Sequence, residues 1–197
     1  MKLFFIMGES GSGKDTIYKM ILNSSLGEFI TTIVSCTTRP MRENEREAVE
    51  YYFRDDAHLE KARKEGVLIE SRTYHTVHGD WSYYTLKLDE NNMYYIATGT
   101  PQQYSSYVEF YKNRGTDFEG CPIYLSTLGK TRLQRSLTRV EDPDCPEICR
   151  RFLADAEEYT EENLNSIANL KVVDANKVVE EVFKECFDYI QEKVNVG

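Results

Sequence analysis

The chain has 197 residues, 41% of them hydrophobic and 29% charged, with a net charge of −9. This suits one well-packed soluble domain carrying a small inserted lobe. The acidic balance excludes a general nucleic-acid binder, which needs clustered Lys and Arg. No apolar run approaches the ~20 residues that span a bilayer. The opening Met1–Met7 has a short apolar core that meets a glycine-rich loop without a small-residue cleavage site, so it predicts a first strand and not a signal peptide. The five cysteines (Cys36, Cys121, Cys145, Cys149, Cys186) are odd in number and scattered, which predicts reduced thiols in the cytoplasm. Cys145 and Cys149 with His75 and His78 match no common zinc spacing.

In chain order, residues 2–7 form a continuous apolar run, as expected of a parallel strand buried on both faces. Residues 14–25 place Ile17, Met20 and Ile21 on one helical face, and Thr31–Ser35 is a second β-branched run. From about 36 to 90 the chain becomes more polar and rich in tyrosine. It holds strand candidates at 50–54, 67–72 and 82–87 and a short helix at 56–65, which predicts an inserted α+β lobe. Alternation then resumes: strands at 93–98 and 122–125, helices at 101–112 and 129–139, a breaker-rich link at 140–147, and a helix over roughly 147–164. A last strand at 169–173 precedes a helix with Val178, Val182, Cys186 and Ile190 at four-residue spacing. The order predicts a parallel sheet covered on both faces.

Gly8-Glu9-Ser10-Gly11-Ser12-Gly13-Lys14 fits the first seven positions of G-x-x-x-x-G-K-[ST], after a strand and before a helix. Glycines let successive N–H groups turn around an anion, and the helix N-terminus adds partial positive charge. Lys14 supplies a mobile cation for phosphate. The eighth position holds Asp15 in place of a hydroxyl residue, and Thr16 follows, so either can support Mg2+. Ser35-Cys36-Thr37-Thr38-Arg39-Pro40-Met41-Arg42 puts two arginine forks beside hydroxyls, a pattern suited to a phosphate dianion. Glu50-Tyr51-Tyr52-Phe53 and Leu68-Ile69-Glu70 follow. Singly, each fragment also fits an ordinary solvated surface.

Together these segments resemble guanylate kinase, from Leu3 to about Ile190. The family pattern runs P-loop, S-x-T-T-R-x-x-R, [DE]-Y-x-F, a buried I-E, a tyrosine turn and an arginine-rich lid. The resemblance implies ATP and Mg2+ on Gly8–Thr16 and GMP at Ser35, Arg39, Arg42, Tyr51 and Glu70. In the family the serine and glutamate read guanine, and the arginines and tyrosines hold the acceptor phosphate. Tyr83 and Thr85 match the tyrosine turn, behind a loop about four residues longer around Thr76–Trp81. Arg135, Arg139 and Arg150 match the catalytic lid arginines, with Arg151 an adjacent competitor. Asp174 and Asn176 match the segment beside the adenine ring. The family's acidic pair is missing, since the strand reads Ile96-Ala97-Thr98-Gly99.

The expected fold is thus an α/β P-loop NTPase-type parallel sheet with helices on both faces, an inserted acceptor-binding lobe and an arginine-rich lid. The chain forms one domain, with core 1–35 and 92–197, lobe 36–91 and lid about 138–150. The expected function is ATP-dependent phosphorylation of GMP, or dGMP, in the cytoplasm, without nucleic-acid or membrane partners. Two alternatives stand beside it. One is a kinase of another small phosphate acceptor, such as ribose 1,5-bisphosphate or a deoxynucleoside monophosphate. The other is an inactive guanylate-kinase-like module that binds proteins.

Overall fold

A computed structural model describes residues 1–76 and 79–195. Its core is a parallel sheet of order β2-β7-β1-β8-β9, built from β1 (Lys2–Met7), β2 (Thr31–Thr32), β7 (Tyr94–Gly99), β8 (Glu119–Ser126) and β9 (Lys171–Asp174). β1 explains the two-sided burial. Phe4 and Ile6 join the cluster under α1 (Lys14–Leu22) and α7 (Val179–Asn195), while Leu3, Phe5 and Met7 join the opposite cluster with Tyr104, Tyr107 and Phe110 of α3 (Pro101–Lys112). Burying each such side chain contributes about 1.5–3 kcal/mol, so the uninterrupted run stabilises both layers at once.

A second sheet, of order β4-β3-β6-β5, holds β3 (Cys36–Thr37), β4 (Tyr52–Phe53), β5 (Leu68–Thr76) and β6 (Gly79–Leu86), with α2 (Asp56–Lys64) beside it. The predicted strand Thr31–Ser35 is divided between the sheets. Its start pairs with β7, whereas Ser35 accepts a hydrogen bond from the Tyr52 amide of the second sheet. Ser35 therefore stands where the chain passes from core to lobe. The β5/β6 arms run past the predicted ends at 72 and 82, because Thr73, Tyr74 and Trp81 continue the β-favouring alternation. Residues 77 and 78, including His78, lie outside the described residues.

The predicted helix 147–164 is two helices, α5 (Cys145–Glu158) and α6 (Glu161–Asn165). Thr160 restarts the chain by capping the Asn163 amide, and Tyr159 turns out of helical conformation between them. α4 (Gly129–Thr138) lies before α5. Val178 precedes α7 and is exposed; the buried stripe of that helix is Val182, Cys186 and Ile190. Among the described residues no helix is long and apolar enough to cross a membrane.

Candidate active site

The phosphate loop follows β1 directly. Gly11 and Gly13 have φ of 80° and 97°, a left-handed backbone that a side chain would strain. Gly13 is the N-cap of α1, so the loop ends on a helix N-terminus. Lys14 is half-buried and makes no hydrogen bond or ion pair among the described residues, while Asp15 and Thr16 are exposed on the first turn. The Ser12 hydroxyl is buried without a hydrogen-bond partner.

Packing from α4 and α5 fixes the base of the loop. Glu9, 8% exposed, accepts from the Tyr124 hydroxyl at 3.1 Å and lies 3.5 Å from the Arg132 guanidinium. Arg132, 7% exposed, is also 3.7 Å from Asp155 and stacks over Phe152 at 4.6 Å. The Asp155 carboxylate accepts the Ser10 amide at 2.7 Å. The Tyr159 hydroxyl lies 3.1 Å from the carbonyls of both Gly8 and Gly99, either of which can take its one proton, at the ends of the neighbouring strands β1 and β7. None of Arg132, Asp155 and Tyr159 was read from the sequence, since only chain reversal through β8 and the lid helices brings them under the loop.

A cavity of about 270 Å3 beside the loop is lined by Ser12, Thr16, Arg135, Ala175, Lys177 and Val182, among others. The Arg135 guanidinium donates to the carbonyls of Ser12 and Ala175 and forms part of the wall of this cavity. Asp174 and Asn176 do not line this cavity. Asn176 bonds Asp174 and accepts the Leu128 amide, clamping the loop before α4 to the loop after β9.

The second cavity, of about 620 Å3, is lined by Ser35, Tyr51, Glu70, Tyr83, Thr98 and Arg150, with four further residues. Its floor is one face of the β5/β6 hairpin. A register shift between Leu68 and Glu70 sets Glu70 opposite Thr85 and Arg72 opposite Tyr83. Thr85 donates to Glu70 at 3.1 Å and its hydroxyl lies 3.0 Å from that of Ser35, so the three form one chain. Burial pushes the Glu70 carboxyl above its ordinary value, partly offset by the Thr85 bond and the charge of Arg72.

Arg39 is buried beside this face, with Tyr51 at 5.3 Å and Phe53 at 5.6 Å from its guanidinium. Its Nε donates to the Tyr83 hydroxyl at 3.1 Å, and its fork is bonded bidentately by Glu45. Glu45 also accepts the Arg42 amide, and these contacts hold its carboxyl down at about 2. The Arg42 side chain is exposed. Glu45 is an acidic oxygen pair seated where a phosphate-binding fork points, and only the acidic residue six positions after Arg39 hinted at it.

Arg150 reaches the wall of the second cavity from α5, paired with Glu147 at 2.6 Å, and Arg151 pairs with the same Glu147 at 2.7 Å. Arg139, at the end of α4, is exposed without a partner among the described residues. His75 pairs with Asp80, and Cys145 and Cys149 are exposed on α5. Among the described residues no His/Cys/Asp/Glu cluster could hold a metal.

Residues 1–87 match the family model described as guanylate kinase. The chain is 42% identical over 69 residues to guanylate kinase of Chlorobium chlorochromatii, covering 35% of each protein. It is 35% identical over 89 residues to that of Coxiella burnetii, covering 43% of this chain and 42% of the relative. The matched stretch thus spans less than half the length of these relatives. The fold resembles the crystal structure of guanylate kinase from Anaplasma phagocytophilum with a TM-score of 0.60 at 17% identity, over 98% of this chain and 86% of the other.

Proposed function

We propose, from the match of residues 1–87 to the guanylate kinase family model and the likeness of that stretch to curated guanylate kinases, that this protein transfers a phosphoryl group from ATP to GMP. The observation that carries the reading is the Ser35–Thr85–Glu70 chain, whose two ends, Ser35 and Glu70, line the second cavity. Guanine offers two N–H donors on its Watson–Crick edge, and one ionised carboxylate accepts both. Adenine shows a different pattern, so a dry glutamate discriminates strongly.

Tyr51, Tyr83, Arg39 and Arg42 bind the acceptor phosphate, which takes the place of Glu45 on the arginine fork. Loop amides and Lys14 hold the ATP phosphates, and Arg135 walls the adenine cavity. The exposed oxygens of Asp15 and Thr16 and the unpartnered Ser12 hydroxyl fit a hard cation with phosphate. When bound, Mg2+ supplies charge neutralisation between the phosphates. The acceptor phosphate oxygen attacks in line, so no protein nucleophile is required. Lys14, Arg139 and Arg150 stabilise the charge on the transferring group and exclude water, which makes catalysis positional and electrostatic.

The test is ADP formation with GMP, dGMP, AMP and ribose 1,5-bisphosphate as acceptors, for wild type and Lys14→Ala. Wild type should prefer GMP or dGMP. The variant should stay folded and lose at least a hundredfold in kcat, about 2.7 kcal/mol. A preference for ribose 1,5-bisphosphate, or turnover by the variant within tenfold of wild type, would sink the proposal.

A further inference from the structure

The Ser35–Thr85–Glu70 chain consumes its own protons. Thr85 gives its one hydroxyl proton to Glu70 at 3.1 Å, so the 3.0 Å contact between Thr85 and Ser35 is filled by the Ser35 proton. What the chain turns to the cavity is then acceptors, the carboxylate and the hydroxyl lone pairs. These suit the N1–H and N2–H groups of guanine. They offer nothing to O6, which adjoins N1–H on the same edge and is itself an acceptor. A buried O6 needs a donor from elsewhere.

Gln103, in the first turn of α3, holds one. The helix begins with a capping box: the Thr100 hydroxyl accepts the Gln103 amide at 3.3 Å, and Gln103 Oε1 accepts the Thr100 amide at 3.1 Å. A backbone N–H only donates, so the carboxamide atom that faces it is the oxygen. The fit is close, since a Cβ on Gly99 would come 2.6 Å from that oxygen, and Arg72 Nη2 pins the Thr100 hydroxyl at 2.9 Å. The cap thus fixes the amide's orientation and leaves Nε2 without a hydrogen bond among the described residues. Gln103 and Glu70 both line the second cavity, and both line a smaller one of about 350 Å3. Tyr74 and Trp81 also line the second cavity, but their register sets them about 13 Å beyond Glu70 along the hairpin. The Thr98 hydroxyl lines it too, yet a hydroxyl both donates and accepts and so cannot tell a carbonyl from an amino group. An amide nitrogen only donates.

We infer that Gln103 is a specificity-determining residue: its Nε2 donates to O6 of the guanine whose N1–H and N2–H groups face Glu70. The inference rests on the reading of this cavity as a GMP site. Carboxamide and carboxylate together present one donor and two acceptors, the pattern that cytosine presents to guanine. Adenine sets an amino donor against Nε2 and an unprotonated N1 against Glu70, so the two residues reject it together.

The experiment follows ADP formation by the full chain with GMP, AMP and 6-thio-GMP, for wild type and Gln103→Glu. Glutamate keeps an oxygen for the Thr100 amide, so the capping box and the Tm survive while the donor becomes an acceptor. The variant should lose on the order of tenfold or more in kcat/KM on GMP, and its preference for GMP over AMP should fall by a like factor. 6-Thio-GMP keeps both N–H donors for Glu70 and puts a poorer acceptor, sulfur, in place of O6. Wild type should lose on the order of tenfold on it, an arm that needs no variant, and Gln103→Glu should distinguish it less from GMP. Equal use of GMP and 6-thio-GMP by wild type overturns the inference. So does an equal loss on 6-thio-GMP in both proteins, because the bulk of sulfur would then be the cause. A variant that keeps the wild-type preference for GMP over AMP overturns it as well, since Gln103 would then be only a cap. In each case GMP turnover by wild type leaves the proposed function standing; its absence overturns both.

Discussion

The role proposed for Glu70 places a carboxylate in an unfavourable environment. Burial raises its carboxyl above the ordinary value of 4.5, while the Thr85 hydroxyl and Arg72 hold part of that rise back. A folded-state value above the unfolded one means that Glu70 favours folding only at low pH, and that this contribution is lost as pH rises through the folded value. At neutral pH the ionised group costs stability. Glu70→Gln should therefore be at least as stable as wild type at pH 7, read from the urea midpoint. It should nonetheless lose on the order of a hundredfold in kcat/KM for GMP, because unpaired buried donors cost about 1–3 kcal/mol each. Wild-type GMP affinity should fall as pH drops through the raised Glu70 value. The variant should lack that inflection and keep only the one belonging to the phosphate of GMP. A variant with lower stability and undiminished guanine preference would move the recognition role away from Glu70.

The helices α4 and α5 brace the phosphate loop, and Arg139 at the end of α4 and Arg150 in α5 lie in the segment expected to form the lid. Arg132 of α4 is buried between Glu9 of the loop and Asp155 of α5, with Phe152 across its face. Truncating it leaves two carboxylates without their counter-charge. Arg132→Ala should cost about 3 kcal/mol, a fall of roughly 6–12 °C in Tm for a chain of this size. A change under 2 °C would mean that the network is solvated and dispensable. The exposed lid arginines should behave differently. On the proposed reading Arg139, exposed and with no partner among the described residues, meets its ligand only on closure. Arg139→Ala should lower kcat with little change in the KM for GMP. Arg150 already lines the second cavity, the proposed acceptor site, so Arg150→Ala should move kcat and KM together. Steady-state kinetics across both substrates separates the two patterns, and an Arg139 effect confined to KM would assign that residue to binding.

Across the whole molecule, two cavities lie on different sheets' margins, one beside α1 and one on the β5/β6 hairpin. Occupying both should add to stability, because ligands that bind only the folded state shift the equilibrium. Each ligand at a hundredfold excess over its Kd contributes about 2.7 kcal/mol, or about 5–11 °C in Tm at this chain length. GMP and a non-hydrolysable ATP analogue should each raise Tm in differential scanning calorimetry, and together raise it by more than either alone. A module that has lost its ATP site would respond to GMP only, and a phosphosugar kinase would respond to the analogue only.

The sequence by itself determined the parts whose cause is local. The apolar run at 2–7 implied a strand buried on both faces, and the glycine spacing before Lys14 implied an anion loop on a helix start. The Ser35, Arg39, Tyr51 and Glu70 segments carried the family likeness. Strand and helix positions followed from periodicity, because side-chain alternation and the helical repeat are short-range properties. What periodicity missed was longer-range or depended on a single cap, such as Thr160, which splits one expected helix into two. Tertiary structure alone decided the partners. It set Thr85 between Ser35 and Glu70, turned Arg135 onto backbone carbonyls, and spent Asn176 on the start of α4. It also buried Arg132 beneath the loop and aligned Arg72 with Glu70. Those pairings join residues far apart in the chain, and their chemistry depends on which donors and acceptors packing leaves free.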